Sequence, residues 1–151
     1  MSKYILILIV FSFLSFGGNK LFSQSDDIRD KIEDIKLDKM TEKLSLDETA
    51  KTLFIEKYKS FSKEQRDLNR KRAKTYKLIT ENVESGNGLD SLLDLLIDYE
   101  NDINKKRIEF IKDMETILTS QQIAKMIIFE RKFNNEIKKI LKQYQKENKK
   151  D

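Results

Sequence analysis

The chain has 151 residues, 30 of them basic and 26 acidic, with no proline, cysteine, histidine or tryptophan and only four glycines. That length holds one domain or one long-helix unit. The missing cysteine and histidine remove disulfide frameworks, thiol nucleophiles and the ligands on which zinc, copper and nickel sites lean, while few breakers and many Lys, Glu and Leu residues predict an all-α fold.

Residues 1–24 read as a secretory signal peptide. Lys3 supplies a positive start, Ile5 through Phe16 form an apolar and serine stretch, and Gly17-Gly18-Asn19-Lys20 leads to a polar exit with cleavage near Ser23 or Gln24. The apolar core is about twelve residues, short of the ~20 that span a bilayer. No cysteine follows it to carry a lipid anchor. The expectation is an exported chain in the periplasm, without stable membrane insertion after cleavage. Losing Lys3 and Lys20 lowers the basic count from 30 to 28 against 26 acids. Such a compartment offers no ATP and little nucleic acid, which argues against nucleotide-dependent enzymes.

A first helix is expected over 26–43, with Ile28, Ile32, Ile35, Leu37, Met40 and Leu44 mostly on one stripe and Asp26 and Asp27 at its positive end. A second is expected over 47–83. Its stripe runs through Leu46, Ala50, Leu53, Phe54, Tyr58, Phe61, Leu68, Tyr76, Ile79 and Val83, interrupted by Gln65 and Arg72. A helix of that length reaches roughly 54 Å and needs a partner along its flank. Glu84-Ser85-Gly86-Asn87-Gly88 is the strong loop signal, because glycine enters the left-handed region that ends helices. Asp90 or Ser91 is the expected cap of a third helix over 89–117, whose inward residues are Leu92, Leu93, Leu96, Tyr99, Ile103, Phe110, Ile111, Met114 and Ile117.

At Leu118-Thr119-Ser120-Gln121-Gln122 the spacing predicts a capping box. The Thr119 hydroxyl accepts from the Gln122 N–H, and the Gln122 side chain reaches back to the Thr119 N–H. Leu118 and Ile123 have the spacing of a hydrophobic staple. A fourth helix follows, with Ile123, Met126, Ile127, Phe133, Ile137, Ile140, Leu141 and Tyr144 inward and a polar, fraying tail over 146–151. The domain thus runs over 25–145: four helices, two long ones forming a central hairpin flanked by two shorter ones, in an open, curved arrangement.

The Leu-Thr-x-x-Gln run, with a blurred copy at Leu46-Asp47-Glu48-Thr49-Ala50, resembles the Spy/CpxP family of periplasmic helical proteins. Met114 through Phe133 is the closest match. Lys43 through Ala50, followed by Phe54 and the basic run from Arg66 to Lys74, is similar to a Bacteroidetes branch of that family, as is Glu130-Arg131-Lys132-Phe133. In the blurred copy Asp47 replaces Thr and Ala50 replaces Gln, so the box cannot close in the family register. Ser45-Leu46-Asp47-Glu48 makes a shifted box, Ser45 as cap and Glu48 at N3, which predicts an earlier helix start.

The resemblance implies an antiparallel homodimer shaped like a shallow cradle, holding partly unfolded envelope proteins on its concave face without ATP. Such a surface needs apolar area that folding leaves uncovered and charges that attract clients. The residues that offer it are Ile128 and Phe129 on the fourth helix, Phe54, Tyr58 and Phe61 with Lys57, Arg66 and Arg70 on the second, and Phe110 on the third. A core or dimer-interface role is the alternative for each aromatic, since stripes at helical spacing usually pack inward. Members of the branch are described as heavy-metal sensors, refolding chaperones or sigma-factor-associated sensors. The second functional reading is accordingly a signalling module that binds an anti-sigma factor or a sensor-kinase ectodomain.

No cofactor, catalytic residue or metal ligand set is expected. Asp94, Asp98 and Asp102 recur every fourth residue and read as a solvated face. The basic run Lys63, Arg66, Arg70, Lys71, Arg72 and Lys74 is diluted by Glu64 and Asp67, and in an exported chain it favours acidic clients, anionic lipid or an acidic partner helix over nucleic acid.

Overall fold

The computed structural model describes the backbone of residues 21–147 and the side chains from Ile28 onward, apart from Tyr144, Gln145 and Glu147. The expected signal lies outside these residues up to position 20. The last four residues of the tail and the inward placement of Tyr144 lie outside them too. The fold is all-α: helices α1 (Leu21–Leu44), α2 (Glu48–Asn82), α3 (Leu89–Met114) and α4 (Ser120–Glu147), with no strand among the described residues. None of the described helices is long and apolar enough to cross a membrane.

α1 begins five residues before the expected start, so Asp26 and Asp27 fall in its second turn instead of its first. At its end Ser45 adopts a left-handed backbone, φ 52°. That conformation is incompatible with the extended backbone of an N-cap, and the shifted box expected at Ser45 and Glu48 does not form. Asp47 takes the position instead: it is extended, φ −69° and ψ 167°, and its Oδ1 accepts the Ala50 N–H at 2.8 Å. A carboxylate caps as well as a hydroxyl and also faces the positive end of the helix dipole. α2 therefore starts in the register of the Leu46–Asp47 run, with half a box.

The loop over 83–88 has the expected glycine chemistry. Gly86 (φ 71°) donates to the Asn82 carbonyl at 2.9 Å, and Gly88 (φ 65°) is itself the residue from which α3 starts. Neither Asp90 nor Ser91 is the cap, because the helix is already under way at Leu89; Asp90 instead supplies the acid of the first turn. α3 stops at Met114, three residues early, in a turn where the Leu118 N–H returns to the Met114 carbonyl at 2.8 Å.

The chain divides into two compact units. In the one formed by Ser45–Ala124, α2 and α3 lie antiparallel. Phe54 and Tyr58 of α2 are buried, as are Phe110 and Met114 of α3, and Leu118 and Ile123 are buried across the following joint. The Phe110 ring stacks on Phe61 (centroids 4.1 Å apart, planes at 9°) and meets Tyr58 edge-on at 5.6 Å. Along the pair toward the loop, Lys106 bridges to Glu64 at 2.9 Å, Gln65 Nε2 donates to the Ile103 carbonyl at 2.9 Å, and Arg72 holds Glu100 at 3.0 Å. Gln65 and Arg72, which break the apolar stripe in the sequence, are thus polar rungs between the two helices.

In the other unit α1 runs antiparallel to the part of α4 beyond Lys125. Leu37, Met40 and Leu44 are buried on α1 and Met126 on α4, and Lys36 pairs with Glu130 at 3.9 Å. A groove of about 310 Å³ opens between Ile32, Glu33 and Lys36 on one helix and Phe133, Ile137 and Lys138 on the other.

Candidate functional site

The capping residues come first, because they decide where α4 begins. Gln122 N–H donates to the Thr119 hydroxyl at 3.3 Å, Thr119 N–H donates to Gln122 Oε1 at 2.9 Å, and the hydroxyl itself donates to the same Oε1 at 3.1 Å. The box is closed. Leu118 and Ile123 on either side of it are both buried, as a staple requires. With their polar groups satisfied by one another, Thr119 and Gln122 turn the chain and are spent on that. Leu46 is half-buried beside the Asp47 cap.

The aromatic face proposed on α2 is largely core. Phe54 and Tyr58 are 0% and 1% exposed and Phe110 is buried with them. Their rings and that of Phe61 form one cluster, Phe54 on Tyr58 at 5.8 Å and Tyr58 on Phe61 at 6.4 Å. Edge-on and offset contacts of this kind belong to aromatic cores. Phe54, Tyr58 and Phe110 are therefore removed from the binding surface; the periodicity that suggested them was the periodicity of packing. Phe61 is half-buried, as are Lys57 and Arg66. Arg70 is exposed and lies 3.7 Å from Asp67 on its own helix.

On α4 the outcome differs. Ile128 is 54% exposed and its neighbour Ile127 is exposed too, against the expectation that Ile127 faces inward. Phe129 is half-buried and stacks on Phe133 at 5.8 Å. Lys125, Arg131 and Lys132 surround the two isoleucines and are all exposed. This is a small apolar area bordered by cations, left uncovered among the described residues.

Other large apolar side chains are uncovered as well. Leu53, Tyr76, Val83, Leu93 and Leu141 are exposed although each lies on an expected stripe, and Leu95, Ile97 and Ile108 are exposed on α3. A helix with one neighbour buries a strip narrower than a bundle helix does, and residues a quarter-turn off that strip stay in water. Ile97 and Ile108 were open to detection, since both fall well outside the arc of Leu92, Leu96, Ile103 and Phe110.

The charges on α2 opposite the packed face form a ladder. Lys59, Lys63, Arg70, Lys74 and Lys77 are exposed at spacings of three, four and seven, with Asp67 and Glu81 interspersed as i+3 and i+4 partners. On the α3 side, the hydrogen bonds that the Lys106 ammonium donates to Glu64 and then to Glu109 hold it above the ordinary lysine value. The acids Asp94, Asp98 and Asp102 are exposed, and no three metal-ligating side chains converge among the described residues.

Compared with protein-family models, with curated proteins and with solved structures, the chain matches none.

Proposed function

We propose that this protein is an ATP-independent holder of partly unfolded proteins in the bacterial envelope, of the Spy/CpxP kind. In this reading the α2–α3 pair forms the centre of an open cradle flanked by the shorter helices, two copies associate antiparallel, and the chain acts in the periplasm after signal cleavage. The observation that carries the client-holding role is the uncovered Ile127–Ile128 area among Lys125, Arg131 and Lys132. Apolar side chains left in water beside long, flexible cations suit weak and exchangeable binding of many sequences. The closed box at Thr119 and Gln122, with a cap at Asp47 in the same register, supports the family likeness at the level of helix junctions.

The test is aggregation of an unfolded client in the presence of the purified protein. Near-stoichiometric amounts are expected to slow it, and the double substitution Ile127→Gln with Ile128→Gln is expected to weaken the effect several-fold at unchanged helicity. Both side chains are exposed, so the change spares the core. An absence of suppression across several unrelated clients would sink the proposal.

A further inference from the structure

The side of α2 turned away from α3 is cationic without interruption. Lys59, Lys63, Arg66, Arg70, Lys74 and Lys77 follow one another at spacings of four, three, four, four and three. At 100° per residue they fall within an arc of about 80°, roughly opposite Phe54, Phe61 and Gln65, and they extend about 27 Å along the axis. Between Glu56 and Glu81, which close the arc at either end, no other residue falls in it. Five of the six cations are exposed and Arg66 is half-buried. Asp67 lies at the border of the arc, 3.7 Å from Arg70; an exposed pair of that kind adds little energy and leaves the row cationic. The charge is also sided. From Lys59 to Lys77, α2 has eight bases and two acids, whereas from Leu89 to Asn104, α3 has five acids and no base. Of those acids Asp90, Asp94 and Asp98 are exposed on the side of α3 away from α2.

We infer that this row docks on a membrane surface of anionic, phosphate-bearing lipid, with the acidic side of α3 turned to water. What the arc lacks selects the partner. A folded protein partner needs an apolar or aromatic anchor, since charged residues are depleted at the centre of interfaces, and the arc has none. Single-stranded nucleic acid needs rings on which its bases stack, and no ring lies in the row. A duplex winds its phosphates away from a straight row, whereas lipid headgroups lie in one plane and diffuse laterally to meet fixed charges. Each Lys or Arg near an anionic surface strengthens adsorption about fivefold, so a row of six holds the chain reversibly without insertion. The acids of α3 make the contact one-sided, because the same surface repels them. This inference goes beyond the holder reading and does not depend on it.

The test is flotation of the purified protein with vesicles of equal parts phosphatidylglycerol and phosphatidylcholine. Binding is expected at low salt, and its loss at about 0.5 M salt, where charges are screened within about 4 Å. Pure phosphatidylcholine vesicles measure any contribution of the apolar stretch over 5–16, which no variant changes. Lys63→Gln, Arg70→Gln and Lys74→Gln together are expected to cut the anionic component about a hundredfold. The same charge loss on α4, by Lys139→Gln, Lys142→Gln and Lys146→Gln, is expected to leave it within about twofold. Circular dichroism on both triple variants separates loss of docking from loss of fold. The chain has no cysteine, which makes the sidedness directly measurable. An environment-sensitive dye at Ala73→Cys, beside the row, is expected to shift on anionic vesicles, and one at Asn101→Cys, on the far side of α3, to stay unchanged. No preference for anionic over neutral vesicles, equal losses in the two triple variants, or equal dye responses at both positions would each overturn the inference. Mixed-sequence duplex DNA that displaces the vesicles at equal phosphate concentration would overturn the assignment to lipid. The α2 triple variant keeps Ile127 and Ile128, so client aggregation measured on it reads holding separately from docking.

Discussion

At Thr119 three hydrogen bonds tie two side chains into a ring, whereas at Asp47 one carboxylate oxygen meets one backbone N–H. Both solve the same problem, the unpaired amides of a first helical turn, and both lie at exposed positions where water competes. Thr119→Ala is expected to cost about 1 kcal/mol, and Asp47→Ala a similar amount, read as a shift in denaturation midpoint. Ala50 occupies the position of Gln122 in the α2 cap. Ala50→Gln lets a side chain reach back to the Asp47 N–H and is expected to gain about 0.5 kcal/mol. If both alanine variants melt with the unmodified chain, the caps follow the helix starts and do not set them. Ser45 shows why the α2 start was harder to read than the α4 start. Ser45 and Asp47, two positions apart, could each cap, and the choice fell to a left-handed backbone at the end of α1 that the pattern of types does not encode.

At the scale of elements, the four helices and their joints were legible because their signals are local: caps, glycines and three- and four-residue spacing. What each helix faces was less so. Gln65 and Arg72 looked like faults in a stripe until their partners, Ile103 and Glu100, were placed 38 and 28 residues away on α3. No window along α2 contains those partners. The same holds for the binding surface: Phe54, Tyr58 and Phe110 obey one spacing whether they meet a client or each other. Their packing can be weighed against the rungs. Phe110 touches two rings and is buried, so Phe110→Ala is expected to cost about 3–5 kcal/mol. Arg72 and Glu100 keep roughly a third or more of their side chains in water, so breaking that pair is expected to cost no more than about 1 kcal/mol. Equal losses in a thermal melt would mean that the rungs, and not the rings, hold α2 to α3.

At the scale of the molecule, several large apolar side chains among the described residues remain uncovered. Ile128 on α4 and Ile97 and Ile108 on α3 stay in water while Phe54, Tyr58 and Phe110 are consumed by the core. Uncovered area of this kind usually marks a surface for something else. The sequence pointed to Ile128 and missed the α3 pair. Four consecutive apolar residues at 126–129 announce an exposed side, whereas Ile97 and Ile108 are eleven residues apart and each reads alone as a lone isoleucine off the stripe.

The polar rungs divide the α2–α3 pair unevenly. Its buried apolar residues, Phe54, Tyr58, Phe110 and Met114, all lie on one side of the Gln65 rung, and beyond Arg72 toward Gly86 the only buried side chain is Thr75. Local opening is governed by how much apolar area must be exposed to break a stretch of helix. The loop end can therefore unzip while the aromatic end stays shut, a graded hinge within one helix pair. Amide hydrogen exchange should report it as protection that falls from the amides near Tyr58 and Phe110 toward those near Leu78 and Leu92, with the step at Arg72. Uniform protection along both helices would show that the pair opens only as a unit. Each excursion of the loop end would bare Ile79, Leu92 and Leu96, half-buried when closed, a reserve of apolar surface held behind one short stretch of the helix pair.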